Sequence, residues 1–245
     1  MRCVNEPNNA AGRFARILDH AVQRRDVLKN HKVFEAWAQL LQIPNHQHRR
    51  LINTIYLVHQ LPKEIETRVL ACAPTEVDQY LAWLPDVQRA MQNNNFSTNF
   101  EVPYSPLMSS TTLALVKFCD TLLSSEPEPV VDHTELLGLL DGIESSVREV
   151  QQSDLPFHVK AYLTRLLDLA ADSIVEYRVI GIRAVAYCAD SMYGMHQRDP
   201  ETWESAKTTD VGNRVWEILG KYSTIVTVAD SVVRFGSVVQ KFLPQ

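Results

Sequence analysis

Glycine is scarce in this chain, with eight residues in 245. Sheets with tight turns and enzymes with phosphate loops usually need more, so the scarcity favours helices. No Gly-x-Gly-x-x-Gly, no Gly-x-x-x-x-Gly-Lys and no Gly-x-Ser-x-Gly is present. Dinucleotide loops, phosphate loops and the nucleophile elbow therefore have no signature here. Cysteine is sparse too. Cys3, Cys72, Cys119 and Cys188 form no Cys-x-x-Cys pair, and three of them sit inside helical apolar patterns. Buried free thiols in a reducing compartment are expected, rather than a disulfide framework. The first thirty residues carry arginines where a leader would have an apolar core, so no signal peptide is expected. No uncharged apolar run reaches the roughly 18 residues a membrane span needs. These absences point to a cytoplasmic protein with no cofactor.

What is present is helical periodicity. Val159, Leu163, Leu166, Ala170, Ile174, Tyr177, Gly181, Ala184, Cys188 and Met192 recur at steps of four and three. That is one face of a helix pressed against other helices. The pattern predicts a long helix over 155–193, with roughly 50 Å between Val159 and Met192 at 1.5 Å per residue. Hydrophobic residues make up 45% of the chain, enough to build a core. The expected fold is all-α, an elongated multi-helix bundle with this one long helix at its centre.

Charge is distributed unevenly. Residues 1–50 hold nine Lys/Arg against four acids, whereas residues 105–245 hold twelve against nineteen, within a net charge of -5. A basic amino-terminal end offers a surface to RNA or to an acidic partner. A solvated helix face rich in arginine is the plainer reading, and the acidic remainder argues against bulk nucleic-acid binding.

Along the chain, helices are expected over 11–30, over 33–43 and from Gln47 to the residue before Pro62. A short helix then starts near Leu61, and another near Val77 behind a capping box at Thr75–Asp78. Residues 93–108 combine consecutive asparagines with Pro103 and Pro106 and read as a linker. Phe96, Phe100 and Val102 alternate there, which also fits a short extended segment packed on the bundle. The expected modules are 1–92 and 109–245. A second break falls at Ser124–Asp132. The long helix begins after Ser153-Asp154-Leu155-Pro156, Gly194 is its expected stop, and 195–202 form a polar turn. From about Tyr222, a final helix carries Ile225, Val228, Val232, Phe235, Val239 and Phe242 on one face.

Two segments carry a resemblance. Ser153-Asp154-Leu155-Pro156, Glu176-Tyr177-Arg178-Val179-Ile180-Gly181 and Met192-Tyr193-Gly194 form a "Ser-x-Leu" start, a "Tyr-x-x-x-Gly" step and a terminal glycine. With Val33-Phe34-Glu35-Ala36-Trp37 near the amino terminus, this pattern resembles a group of uncharacterised bacterial all-helical proteins. The resemblance implies a helical fold and an association with mobile elements and phage-defence loci. It implies no activity. Physically, Tyr177 and Gly181 lie one turn apart, and a helix-interior glycine costs roughly 1 kcal/mol against alanine. Close helix packing at Tyr177 and Gly181 is the expected reason.

Candidate chemistry is thin. Arg25 followed by His31 is similar to the Arg-to-His motif of HEPN-class ribonucleases, which implies His31 as general base and Arg25 as phosphorane stabiliser, without metal. With sixteen arginines and eight histidines, chance supplies such a pair. His31, His46, His48 and His59 lack a cysteine nearby to complete a zinc set, so no metal is expected. Asp168 and Asp172 lie one turn apart and read as a solvated face. The amphipathic carboxy-terminal helix suits a partner groove or self-association. The leading expectation is a non-enzymatic interaction or regulatory protein.

Overall fold

Local sequence preference carries through to an all-α protein. In the computed structural model, which describes residues 9–93, 95–125, 128 and 133–229, 81% of residues are helical and no strand occurs among the described residues. The side chains of His133 and of 225–229 fall outside that description. The helices are α1 (Ala10–Gln23), α2 (Arg25–Leu28), α3 (Val33–Leu41), α4 (His48–Cys72), α5 (Val77–Tyr80), α6 (Leu84–Met91) and α7 (Glu101–Tyr104). A 3-10 turn, Ser105–Met108, leads to α8 (Ser110–Leu123), α9 (His133–Gln152), α10 (Phe157–Ile180), α11 (Ile182–Arg198), α12 (Pro200–Lys207) and α13 (Asp210–Ala229). No helix among the described residues is long and apolar enough to cross a membrane.

Two compact units divide the chain: Met1–Glu128 with Val179–Gly181, and Pro129–Arg178 with Ile182–Gln245. In the first, α1 packs against α8 and α4. The Asn9 side chain caps α1 by accepting from the Gly12 amide at 3.0 Å, and its own amide donates to Asp120 of α8 at 2.8 Å. One residue thus sets both the start of α1 and its register on α8. Trp37 of α3 is fully buried and meets Phe100 and Tyr104 edge-on at 5.7 and 5.4 Å.

Those last two aromatics lie in the segment expected as a linker. Residues 93–108 are instead part of the first unit. Phe100, Tyr104, Leu107 and Met108 are buried. The Val33 amide donates to the Thr98 carbonyl at 3.0 Å, the Phe100 amide to the His31 carbonyl at 2.9 Å, and Lys32 bridges Asn99. The expected extended segment is confined to the Lys32–Asn99 bridge: Phe100 has helical dihedrals at the start of α7, and Val102 lies within α7 at 73% exposure, so the alternation of Phe96, Phe100 and Val102 does not mark a strand-like face. The unit continues to Glu128, inside the second break.

Helix boundaries also differ from expectation: the helix expected over 11–30 is split into α1 and α2, the short helix expected near Leu61 is part of α4, and the last helix starts at Asp210 rather than near Tyr222. Pro62 lies inside α4. It deprives only the Val58 carbonyl of its intrahelical donor, and the flanking Val58, Leu61 and Ile65 are buried, so tertiary packing holds the helix through it. The Thr75–Asp78 capping box does not form, because α5 starts at Val77 with no side-chain cap. Gly194 lies inside α11, which runs on to Arg198; the polar turn shrinks to Asp199, whose side chain caps α12 by accepting from the Thr202 amide at 3.1 Å.

The single helix over 155–193 is two helices. Gly181 separates α10 from α11 with a φ of +62°. This conformation leaves the helical region and is one that glycine adopts at low cost. In the second unit, α9 packs on α13 and α12 joins α11 to α13. Tyr162 of α10 meets Trp203 of α12 edge-on at 6.2 Å, and Trp203 lies 4.3 Å from Trp216 of α13.

Candidate functional site

The Arg25–His31 pair lies where α1 gives way to α3. Arg24 caps α1, α2 makes a single turn, and His31 precedes α3 by two residues. Arg25 reaches Glu101 of α7 at 3.7 Å, and both side chains are exposed. His31 turns elsewhere. Its Nδ1 lies 3.4 Å from the Glu35 carboxylate and its Nε2 lies 3.2 Å from the Gln39 amide nitrogen. The Gln39 carbonyl in turn accepts from Arg24 at 3.1 Å. Glu35 and Gln39 lie one turn apart on α3, and His31, two residues before that helix, reaches both. The consistent proton arrangement is Nδ1–H donating to Glu35 and Nε2 accepting from Gln39. The neighbour that structure links to His31 is thus Arg24, through Gln39, while Arg25 has its own acid. Sequence spacing alone could not separate adjacent arginines at a helix end.

The remaining histidines do not gather. His48 meets Phe34 edge-on at 5.4 Å, and His59 lies 5.9 Å from Trp37. Among the described residues, no three His, Cys, Asp or Glu side chains form a group that could hold a metal ion. Burial pushes the His59 imidazole down to about 4, and its Nε2 is buried without a hydrogen-bond partner. Asp168 and Asp172 occupy half-buried positions on α10.

The most elaborate polar cluster is one the sequence did not single out. Arg13 of α1 is 1% exposed. Its Nε donates to the Val179 carbonyl at 2.8 Å, and its Nη1 donates to Glu128 at 2.5 Å. Glu64 of α4 lies 3.8 Å from Nη2. Arg68 pairs with Glu64 at 3.0 Å and with Glu128 at 2.7 Å, which makes a two-arginine, two-glutamate network. Ala10, Ala11 and Gly12 beside Arg13 are buried small residues that leave room for a guanidinium. That small-residue context on the apolar face of α1 was the available signal.

Tyr177 is buried, as its place on the inner face requires, but Gly181 is no helix-packing glycine. It ends α10, and a Cβ there would lie 2.6 Å from Arg13 Nη1 and 2.8 Å from Glu128 Oε2. A second internal cluster joins Ser173, Cys188 and Tyr222. Ser173 donates to the Ala170 carbonyl at 2.8 Å and contacts the Tyr222 hydroxyl at 2.6 Å. Burial pushes the Cys188 thiol up to about 12 and the Tyr222 phenol well above its ordinary value, so neither is set up as a nucleophile. Ile225 and Val228 belong to the helical backbone of α13, with side chains outside the described set. Val232, Phe235, Val239 and Phe242 lie outside the described residues.

No family model matches the chain, and searches of curated proteins and of solved structures return no match.

Proposed function

We propose that this chain is a non-enzymatic interaction and regulatory protein, working through protein–protein contacts in the cytoplasm, in the phage-defence or mobile-element setting that its resemblance implies. The observation that supports the reading is the placement of large apolar side chains on helix surfaces. In the first unit, Ile52 and Tyr56 stand one turn apart on α4 at 50% and 64% exposure. In the second, Phe157 opens α10 at 86% exposure. Aromatic side chains so placed add buried area on association at small entropic cost. In the sequence, Val232, Phe235, Val239 and Phe242, outside the described residues, recur at the three- and four-residue steps that would suit a partner or a second copy.

The competing reading is a metal-independent ribonuclease using Arg25 and His31. In its favour is Glu35, a carboxylate at His31 Nδ1 of the kind that orients an imidazole base. Against it, Nε2 is engaged by Gln39, and Arg25 faces Glu101. The deciding experiment is a tagged pull-down from the native host, with and without nuclease treatment, read by mass spectrometry. The interaction reading expects a stoichiometric protein that survives nuclease. Co-purifying RNA with no protein would overturn it, and Arg25→Ala and His31→Ala would then be assayed for loss of RNA cleavage.

A further inference from the structure

The apolar register of 157–198 is continuous across Gly181. Tyr177 on one side and Ala184 and Cys188 on the other keep the spacing of a single helix and are all buried. Nothing in the pattern slips by the residue or two that a fixed break usually introduces. The chain nevertheless breaks there, with φ of +62° at Gly181. In a continuous helix, the Val179 carbonyl would accept from the Arg183 amide, four residues on. Here it accepts from the Arg13 side chain at 2.8 Å. In the broken form the Arg13 side chain thus supplies this carbonyl with the kind of donor that the Arg183 amide would supply in a continuous helix.

Arg13 cannot simply move aside. It is buried, and Glu128 holds Nη1 at 2.5 Å, with Glu64 3.8 Å from Nη2. Arg68 pairs with both glutamates, at 3.0 and 2.7 Å. Charge-assisted bonds of this kind are directional and mutually reinforcing. Any side chain at position 181 would meet the guanidinium at 2.6 Å and also be forced to a positive φ. Glycine at 181, arginine at 13 and glutamate at 128 thus fit together as three parts of one device.

We propose that Gly181 is a two-position helix switch, held in its broken state by the Arg13–Glu128 clamp. When the clamp releases the Val179 carbonyl, α10 and α11 join into the single helix that the sequence pattern encodes. The bistable element is residues 157–198, and the input is any event that draws Glu128 away from Arg13. Such a device needs two discrete packings, and the unbroken register keeps the same apolar residues on one face in both.

The test places spin labels at Ala161→Cys and Ser191→Cys, both exposed positions, in the full chain with Cys3 and Cys72 replaced by serine. A continuous helix would hold these sites about 45 Å apart at 1.5 Å per residue. The broken form holds them closer. Pulsed dipolar spectroscopy should give the short distance alone for the parent. Arg13→Gln and Gly181→Ala should each raise the population near 45 Å at least about tenfold, a change of ~1.4 kcal/mol. If Arg13→Gln loses its helical circular dichroism, Glu128→Gln decides, with the same distance expected. Folded Arg13→Gln or Glu128→Gln protein that keeps only the parent distance would overturn the proposal.

Discussion

His59 faces the ring of Trp37 from α4, and burial pushes it down to about 4 from an ordinary 6.5. The folded state therefore binds fewer protons than the unfolded chain between those values. Stability from this site is complete above pH 6.5 and is lost as pH falls from 6.5 towards 4. The full shift corresponds to about 3 kcal/mol. Urea midpoints measured between pH 7.5 and pH 4.5 should fall accordingly, and His59→Gln should flatten that slope whatever it does to the midpoint. A slope unchanged in the variant would remove His59 as the cause. Cysteine reactivity follows the same logic of burial. Cys72 is exposed, whereas Cys119 and Cys188 are buried with thiols pushed up by desolvation. In native protein at pH 8, site-resolved thiol labelling should reach Cys72 on the order of 100-fold faster than Cys119 or Cys188. Cys72, Cys119 and Cys188 all sit inside helical apolar patterns, and the expected burial holds for the last two, because cysteine packs like a small hydrophobe, but not for Cys72, the last residue of α4, which is exposed. The burial of the His59 ring beside Trp37 was not legible, since a single histidine gives no periodic signal.

At the scale of elements, helix existence followed from spacing while helix ends did not. The turn between α12 and α13 shows why. Gly212 lies in the first turn of α13, where its amide donates to Thr209 Oγ1 at 3.0 Å. A Cβ there would meet the Ala206 carbonyl oxygen at 1.8 Å, a backbone atom with no freedom to retreat. Gly212→Ala should cost about 1–3 kcal/mol in urea unfolding, well beyond the effect of the same change at Gly138, where a Cβ meets nothing within 4 Å. Equal losses at both positions would show that helix propensity, rather than the close approach, sets the requirement. Nothing in the local sequence separates these two glycines. The same holds for Pro62, which reads as a helix stop but is carried inside α4 by its buried flanks.

At the scale of the whole molecule, apolar surface and charge are the properties through which the chain meets others. Large exposed apolar side chains occur in both units, at Ile52, Tyr56 and Val102 in the first and at Phe157 and Tyr187 in the second. Substituting aspartate at these points tests association without touching the core. Ile52→Asp with Tyr56→Asp, and separately Phe157→Asp, should leave the thermal midpoint within about 2 °C, because exposed positions contribute little to folding. At least one of the two should weaken partner capture tenfold or more, equivalent to about 1.4 kcal/mol. Full capture by both variants would remove these surfaces from the proposed function. The basic stretch over residues 1–50 offers less than its composition suggests. Arg13, Arg24 and Arg25 have acceptors within the protein, so the surplus counted along the sequence is partly consumed in folding.

The sequence by itself determined the all-α class, the inward faces of its helices and the burial of its central thiols. Each of these depends on residue type repeated at the period of the backbone, which is local information. Tertiary structure decided the rest. It assigned Arg25 and His31 to different partners, because side-chain direction at a helix end depends on what packs beyond it. It folded residues 93–108 into the first unit, because Trp37 supplied a surface for Phe100 and Tyr104. It also broke at Gly181 the helix that the pattern encodes, with a φ of +62° there and the Arg13 side chain, far away in sequence, donating to the Val179 carbonyl.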